Sequence, residues 1–320
     1  MESSSEIKQQ MTGKNKKKSQ ATNKSQVSDQ AFKSLKRKRQ PIERLGFAFL
    51  RLCMLFVVVI LIYILYDIVS KGIGVINWTF LSEMPRDGMT AGGIYPAIVG
   101  TFYLTVLTTL MAVPLGVFAA IFLNEYAREG IITRVIRLAL RNLAGVPSIV
   151  FGLFGVAFFV FYLGLGKSLM SAALTLTLLT LPVTITASEE ALKTVPMSYR
   201  EGALALGASR WQTIRTIVLP QALPGMMTGA ILGLARSAAE TAPILFTGAA
   251  FFLPFIPNSV TSQFMALPYH LYIMATQHHS ISVVRPIAYG TALVLVVMVF
   301  ILNLAATLLR SHFFRKKNKQ

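Results

Sequence analysis

The sequence predicts an all-α, polytopic helical membrane protein with about six transmembrane helices, and three observations lead to that fold class. Of 320 residues, 54% are hydrophobic and only 14% are charged, against about 25% charged in an ordinary soluble domain. Apolar runs of membrane-crossing length recur along the chain, where about 20 residues suffice to cross a bilayer. The formal charge of +18 is gathered at the two ends and in alternate loops, the pattern of positive-inside topology.

The predicted spans lie near residues 47–68, 95–123, 142–163, 168–187, 222–249 and 286–309. The first is too long and too far from the start for a cleaved signal peptide and has no A-x-A site after it, so it reads as a permanent helix. The second exceeds what a bilayer needs. Pro114 in its interior predicts a kink or tilt, and its last turns should project into water. The basic stretch NEYAREGIITRVIRLALR belongs inside and the neutral KGIGVINWTFLSEMPRDGMTAGG outside, which agrees with an even number of spans and two cytoplasmic ends. Residues 1–40 are rich in Lys, Ser, Gln and Asn, and form a basic tail expected to stay disordered. The membrane domain then covers 41–310, and a second basic tail covers 311–320. The cluster KSLKRKRQ could suit nucleic acid, but beside a membrane helix it reads as a solvated or lipid-facing segment. Cys53 is the sole cysteine, so no intramolecular disulfide forms.

Between the fourth and fifth spans lies a segment, 196–220, that is unlike its surroundings: the stretch EGALALGASRWQTIRTIVLPQALPG over 201–225 is amphipathic and broken by glycine. Ser198 with Glu201, and Ser209 with Gln212, both have capping-box spacing and predict two short helices. Gly207 between them suits a helix C-cap at positive φ. The second helix carries Trp211, Ile214 and Val218 on one face and is expected to stop before Pro220. Two ordinary readings compete: an interfacial amphipathic segment, and a helix-turn-helix DNA reader on a membrane-tethered regulator. Short tethers to the flanking spans would hold a recognition helix at the bilayer, away from a major groove, and no third helix is left to pack on it.

Signs of chemistry are sparse. GLGKSL resembles the end of a P-loop, but the motif needs glycine where Phe161 stands. No G-x-S-x-G or H-E-x-x-H occurs, so no catalytic set is expected. His270, His278 and His279 share the last external loop without cysteine or carboxylate company, which argues against a metal site. Two features of the fifth span stand out. Gly225, Gly229, Gly233, Ser237 and Thr241 recur every fourth residue, a small-residue stripe suited to close helix packing within the chain or on a partner. Arg236 and Glu240 are the charged residues of that span, four apart on one helix face, and charge at membrane depth usually faces a protein interior or an aqueous path.

The spacing Glu201-Gly202-Ala203, Gly207, then Ile217, Leu219 and Pro220 resembles the cytoplasmic E-A-A-x3-G-x9-I-x-L-P loop of ABC importer membrane subunits, with Gly202 for the first alanine. GGIYPAIVGTFYLT, GVPSIVFGLFG and LARSAAETAPILFTGAA further resemble the PstA type of phosphate importer permease over about 90–310. The resemblance implies the type I ABC importer permease fold in a bacterial cell (inner) membrane and a non-enzymatic subunit carrying half of a phosphate pathway. The implied partners are a homologous permease, two ATPase subunits that hold the ATP and magnesium, an extracytoplasmic phosphate-binding protein and membrane lipid, with no nucleic acid. A permease for another oxyanion, molybdate or sulfate, is the alternative. The resemblance assigns ATPase coupling to Ser198, Glu201, Ala203 and Gly207, with Ala203 and Gly207 allowing close approach and Trp211 and Ile214 holding the joint on the membrane domain. It assigns the substrate pathway to Arg236 and Glu240, while the small-residue stripe itself gives helix packing to Gly225, Gly229 and Gly233. Relatives can carry an arginine ahead of the paired Glu189 and Glu190; Thr186 stands there instead.

Overall fold

The computed structural model describes residues 45–317. The tail expected over 1–40 lies outside them. The chain divides into two units between Tyr66 and Asp67. The first unit is described by the apolar helix that begins at Leu45; this helix, α1 (Leu45–Gly72), is long and apolar enough to cross a membrane.

The second unit opens with α2 (Trp78–Ser82), whose first turn is closed by the Asn77 side chain accepting from the Phe80 N–H at 2.7 Å. A two-residue hairpin follows, β1 (Pro85–Arg86) antiparallel to β2 (Ala91–Gly92) in the register Pro85↔Gly92. Then come α3 (Tyr95–Ile121), continuing through a π turn at Phe122–Tyr126; α4 (Ile131–Ala144); α5 (Ser148–Gly155), continuing as π helix to Tyr162; and α6 (Leu169–Lys193). The joint is α7 (Met197–Ala205) and α8 (Arg210–Thr213); a π turn, Ile214–Val218, leads from it into α9 (Leu219–Ala239). Short helices α10 (Ala242–Thr247) and α11 (Leu267–Thr276) precede the long α12 (Ile281–Lys317).

Among the described residues five helices are long and apolar enough to cross a membrane, or six if the bent pair α4 and α5 counts as one span. Within the second unit α6 lies between α3 and α9, and one apolar cluster at the joint end of these helices joins Ala120, Leu123, Leu192, Ile214, Val218 and Met226. A second cluster, around Leu104, Leu176, Ile244 and Phe264, ties α10 and the following loop to α3 and α6. Lipid tails are as apolar as leucine, so these helices are held by close packing rather than by escape from water. Small residues make that packing possible: a β-carbon at Gly116 would lie 2.6 Å from Thr184 Cγ2.

Three span expectations are corrected. The run 142–163 is not one helix: α4 ends at Ala144, Gly145-Val146-Pro147 intervenes, and α5 leaves at 103°. Proline lacks the N–H a continuing helix needs, which forces the break. The fifth span, expected over 222–249, breaks at Glu240, whose ψ of 135° is extended. The helix expected to stop before Pro220 runs on from Arg210 to Ala239. The π turn just before Pro220 makes this possible, because it shifts the preceding carbonyls out of the register with which the proline ring would clash. At the C-terminal end, helix rather than tail occupies residues from 311 to Lys317.

Candidate functional site

The joint closes as a Schellman motif. Gly207 has φ +84°, the Ala208 N–H donates to the Ala203 carbonyl at 3.1 Å, and the Gly207 N–H donates to the Leu204 carbonyl at 3.0 Å. Glycine takes this left-handed conformation without the Cβ penalty other residues carry. The second helix starts on a full capping box: the Gln212 N–H donates to Ser209 Oγ at 3.2 Å and the Ser209 N–H to Gln212 Oε1 at 2.8 Å. The first does not. Pro196 is the N-cap of α7 and no side-chain cap bond forms there, so Ser198 sits inside the first turn. Proline presets the entry into the helix two residues earlier than the Ser198–Glu201 spacing suggests.

The residues expected at the joint divide between two faces. Glu201, Gly202 and Gly207 are exposed, and Leu206 beside them is 91% exposed. Ala203 is buried inside the chain, so it is not available for close approach by another protein. Ile214 and Val218 anchor the joint in the apolar cluster, whereas Trp211 points outward and is exposed, contrary to expectation.

The residue that fastens the joint was missed by sequence reasoning. Arg200, three positions before Ala203 and therefore on the same inward face, donates from Nε and Nη2 to Glu125 Oε2 and Oε1 at 3.2 and 2.7 Å. It also donates from Nη1 to the Val195 carbonyl at 2.7 Å and from Nη2 to the Leu192 carbonyl at 3.0 Å. The two side chains are only 11% and 9% exposed. One guanidinium thus ties α7 to the π turn that ends α3 and to the C-terminal end of α6. That geometry fits arginine's planar fork and cannot be reproduced by lysine. The inward periodicity of Arg200 was the only local signal, since Glu125 lies 75 positions away.

Beside it, Arg137 of α4 lies 2.9 Å from Glu189 of α6, an ion pair in which the Nε–H is not aimed at the oxygen, while Lys193 bridges Glu189 and Glu190 at 3.5 and 2.8 Å. Thr186, where relatives can carry arginine, donates its hydroxyl to the Pro182 carbonyl of its own helix at 2.7 Å.

At the far end of α9, Arg236 Nε lies 3.2 Å from Glu240 Oε1, with the side chains 39% and 17% exposed. The pair forms, but Glu240 is the C-cap at a helix break and not a residue of the helix face. The small-residue stripe lies against α6 of the same chain. A β-carbon added at Gly225 or Gly229 would come within 2.6 and 2.5 Å of the Ala191 and Ala187 β-carbons, and one at Gly233 within 3.3 Å of Thr184 Oγ1. The three histidines do not share one loop, because His270 lies within α11, and they serve different ends. His278 Nε2 bonds the Gly88 carbonyl at 2.8 Å and its Nδ1 accepts from the Ser280 N–H, whereas His270 is buried and His279 stacks on His278. Gly164 and Gly166 of the P-loop look-alike sit at positive φ in the turn between α5 and α6.

Residues 112–319 match the family model for the binding-protein-dependent transport system inner membrane component. The chain belongs to that family. As such it is the multi-pass, non-catalytic transmembrane component of an ABC transporter, which implies an ATPase and a binding protein as partners. This permease is 34% identical over 289 residues to the probable ABC transporter permease protein YqgI of Bacillus subtilis, covering 87% of this chain and 98% of that one. It is 35% identical over 259 residues to the phosphate transport system permease protein PstA 1 of Mycobacterium tuberculosis, covering 78% and 82%, and 34% identical over 270 residues to PstA of Yersinia pestis, covering 83% and 88%. Its fold is similar to that of a bacterial alginate ABC transporter (TM-score 0.60, 15% identity, 88% of this chain and 98% of that one). It is also similar to an inward-facing methionine ABC transporter, MetNI (TM-score 0.55, 19% identity, 68% and 94%).

Proposed function

We propose that this permease carries phosphate, with Arg236 as the anion-meeting group of its pathway and the exposed face of α7 as its contact with the ATPase. The observation that supports the pathway most directly is the partly exposed Arg236–Glu240 pair at the broken end of α9. Charge at membrane depth costs about 2.5–3.5 kcal/mol per residue on insertion scales, so its presence there calls for a use. A phosphate ion leaving water needs its charge met, and a guanidinium offers two parallel hydrogen bonds. Glu240 holds that fork in place through one bond, leaving the rest of it open to an anion. The phosphate permeases among the relatives support the same substrate. On the coupling side, Glu201 and Gly202 of α7, with Leu206 and Gly207 just beyond its end, are exposed on a helix that Arg200 fastens to α3 and α6, so a push from the ATPase would reach both. A homologous permease, two ATPase subunits and an extracytoplasmic phosphate-binding protein complete the proposed complex, with both chain ends cytoplasmic.

The test is phosphate uptake by a strain lacking its own importer and supplied with the full complex. Arg236→Gln is expected to eliminate uptake while the complex still assembles and hydrolyses ATP, and Arg236→Lys to restore it only in part. Uptake of molybdate or sulfate in place of phosphate would refute the substrate. Normal phosphate uptake by Arg236→Gln, or failure of that complex to assemble, would return the pair to a structural role.

A further inference from the structure

The helix α4 (Ile131–Ala144) is the strongly amphipathic element left unexplained by the pathway and the joint. At about 100° per residue, Ile131, Ile132, Val135 and Leu138 share one arc, and all are exposed, the first two at 80% and 77%. Arg134 and Arg141 lie on the adjoining arc. The opposite side faces the protein: Thr133 is buried, and Arg137 reaches Glu189 of α6 and donates to the Leu123 carbonyl, in the π turn after α3, at 3.2 Å.

Two geometric facts fix where α4 lies. Glu189 is one turn from the end of α6, so its pairing with Arg137 holds α4 at the rim of the bundle that also carries the joint. The 103° bend between α4 and α5 sets α4 across the direction of the apolar helix that follows it. A helix at the rim and transverse to its neighbouring span runs along the membrane surface, with its apolar arc at the depth of the upper acyl chains. Beside that arc a cleft of about 390 Å³ is lined by Glu129, Thr133, Arg134, Arg137, Leu138 and Arg141. Arg137 is engaged by Glu189, while Arg134 and Arg141 have no carboxylate at ion-pair distance among the described residues. The cleft therefore offers two free guanidinium groups against one carboxylate, that of Glu129.

We infer that α4 is an in-plane helix that seats an anionic phospholipid, with Ile131, Ile132, Val135 and Leu138 against the acyl chains and the headgroup phosphate on Arg134 and Arg141. The charge of the cleft selects lipid over a protein partner: basic residues bordering an exposed apolar arc at the membrane surface suit the negative headgroups of that leaflet. The site lies apart from Arg236 and needs no particular substrate, so it stands whether or not the permease carries phosphate.

The test uses the assembled transporter in bilayers of phosphatidylcholine containing a minor fraction of phosphatidylglycerol, with Ile132→p-benzoylphenylalanine as a photo-crosslinker. Adducts are expected to be phospholipid, with phosphatidylglycerol enriched at least about threefold over its bilayer fraction. Arg134→Gln combined with Arg141→Gln should bring that share back to the bilayer fraction while lipid adducts persist. Three results would overturn the inference. One is an adduct to another subunit, which makes α4 a protein interface. Another is an unselective lipid adduct with both arginines present. The last is no lipid adduct at 132 when a Phe118→p-benzoylphenylalanine control on α3 gives one.

Discussion

Replacing Arg200 with methionine tests the fastening of the joint directly. Methionine keeps much of the side-chain volume but removes every hydrogen bond that Arg200 makes to Glu125, Val195 and Leu192. It also leaves the Glu125 carboxylate, 9% exposed, without its counter-ion. Breaking a buried pair by removing one partner costs about 3–5 kcal/mol, because the remaining charge is uncompensated. The loss falls where α7 meets α3 and α6, so local opening of α7 should become about a hundredfold to four-thousandfold more frequent, at roughly 1.4 kcal/mol per tenfold. Amide hydrogen exchange of the assembled complex reads this opening. Exchange across Met197–Ala205 should accelerate by that factor while amides in the middle of α6 stay protected. Adding Glu125→Leu should recover a large part of the protection, since the orphaned charge is then gone. Unchanged exchange in α7, within about threefold, in an intact Arg200→Met complex would refute the reasoning. So would a double variant no better protected than the single one.

Gly207→Glu should abolish transport without preventing insertion, because nothing lies within 4 Å of that position in the chain but charge and bulk are added to the exposed joint. Gly207→Asn, which tolerates positive φ, should keep uptake at a stability cost of no more than about 1 kcal/mol, and equal loss in both variants would point to backbone strain instead. Burial, and then the neighbouring His278, lower the His270 pKa to about 4 from 6.5. The folded state thus resists protonation of His270 while the unfolded state accepts it. Stability from this residue is full above about pH 6.5 and falls by roughly 3 kcal/mol as the pH drops to 4. The thermal midpoint of the purified protein should fall over that window, and His270→Gln should flatten the fall; an unchanged slope would acquit this histidine.

Hydropathy made the spans legible because lipid demands a fixed length of apolar chain, and motif spacing made the joint legible because a Gly207 turn and a Ser209 cap are local devices. What stayed hidden depends on geometry between distant residues. The apolar run from Leu143 to Tyr162 hides its bend at Pro147, since hydropathy counts length and not direction. Pro220 reads as a stop because its clash is local, yet the π turn upstream removes the clash. Trp211 was placed inward by its spacing to Ile214 and Val218, yet it is exposed while those two are buried. Arg200 and Glu125 illustrate the general limit: nothing in either neighbourhood announces the other.

The unbroken run from Arg210 to Ala239 makes a rod about 45 Å long at 1.5 Å per residue. A close contact, Gly225 and Gly229 on Ala191 and Ala187, lies part-way along and leaves no room for the helices to slide without separating. Such a contact behaves as a fulcrum. The arm towards the joint measures about 25 Å and the arm towards Glu240 about 20 Å. A tilt that carries Arg210 about 2 Å one way then carries the Arg236–Glu240 end about 1.5 Å the other. That distance separates a formed hydrogen bond from a lost one, so on the proposed coupling, leverage about two glycines would convert a small push at the joint into making or breaking polar contacts at the opposite tip.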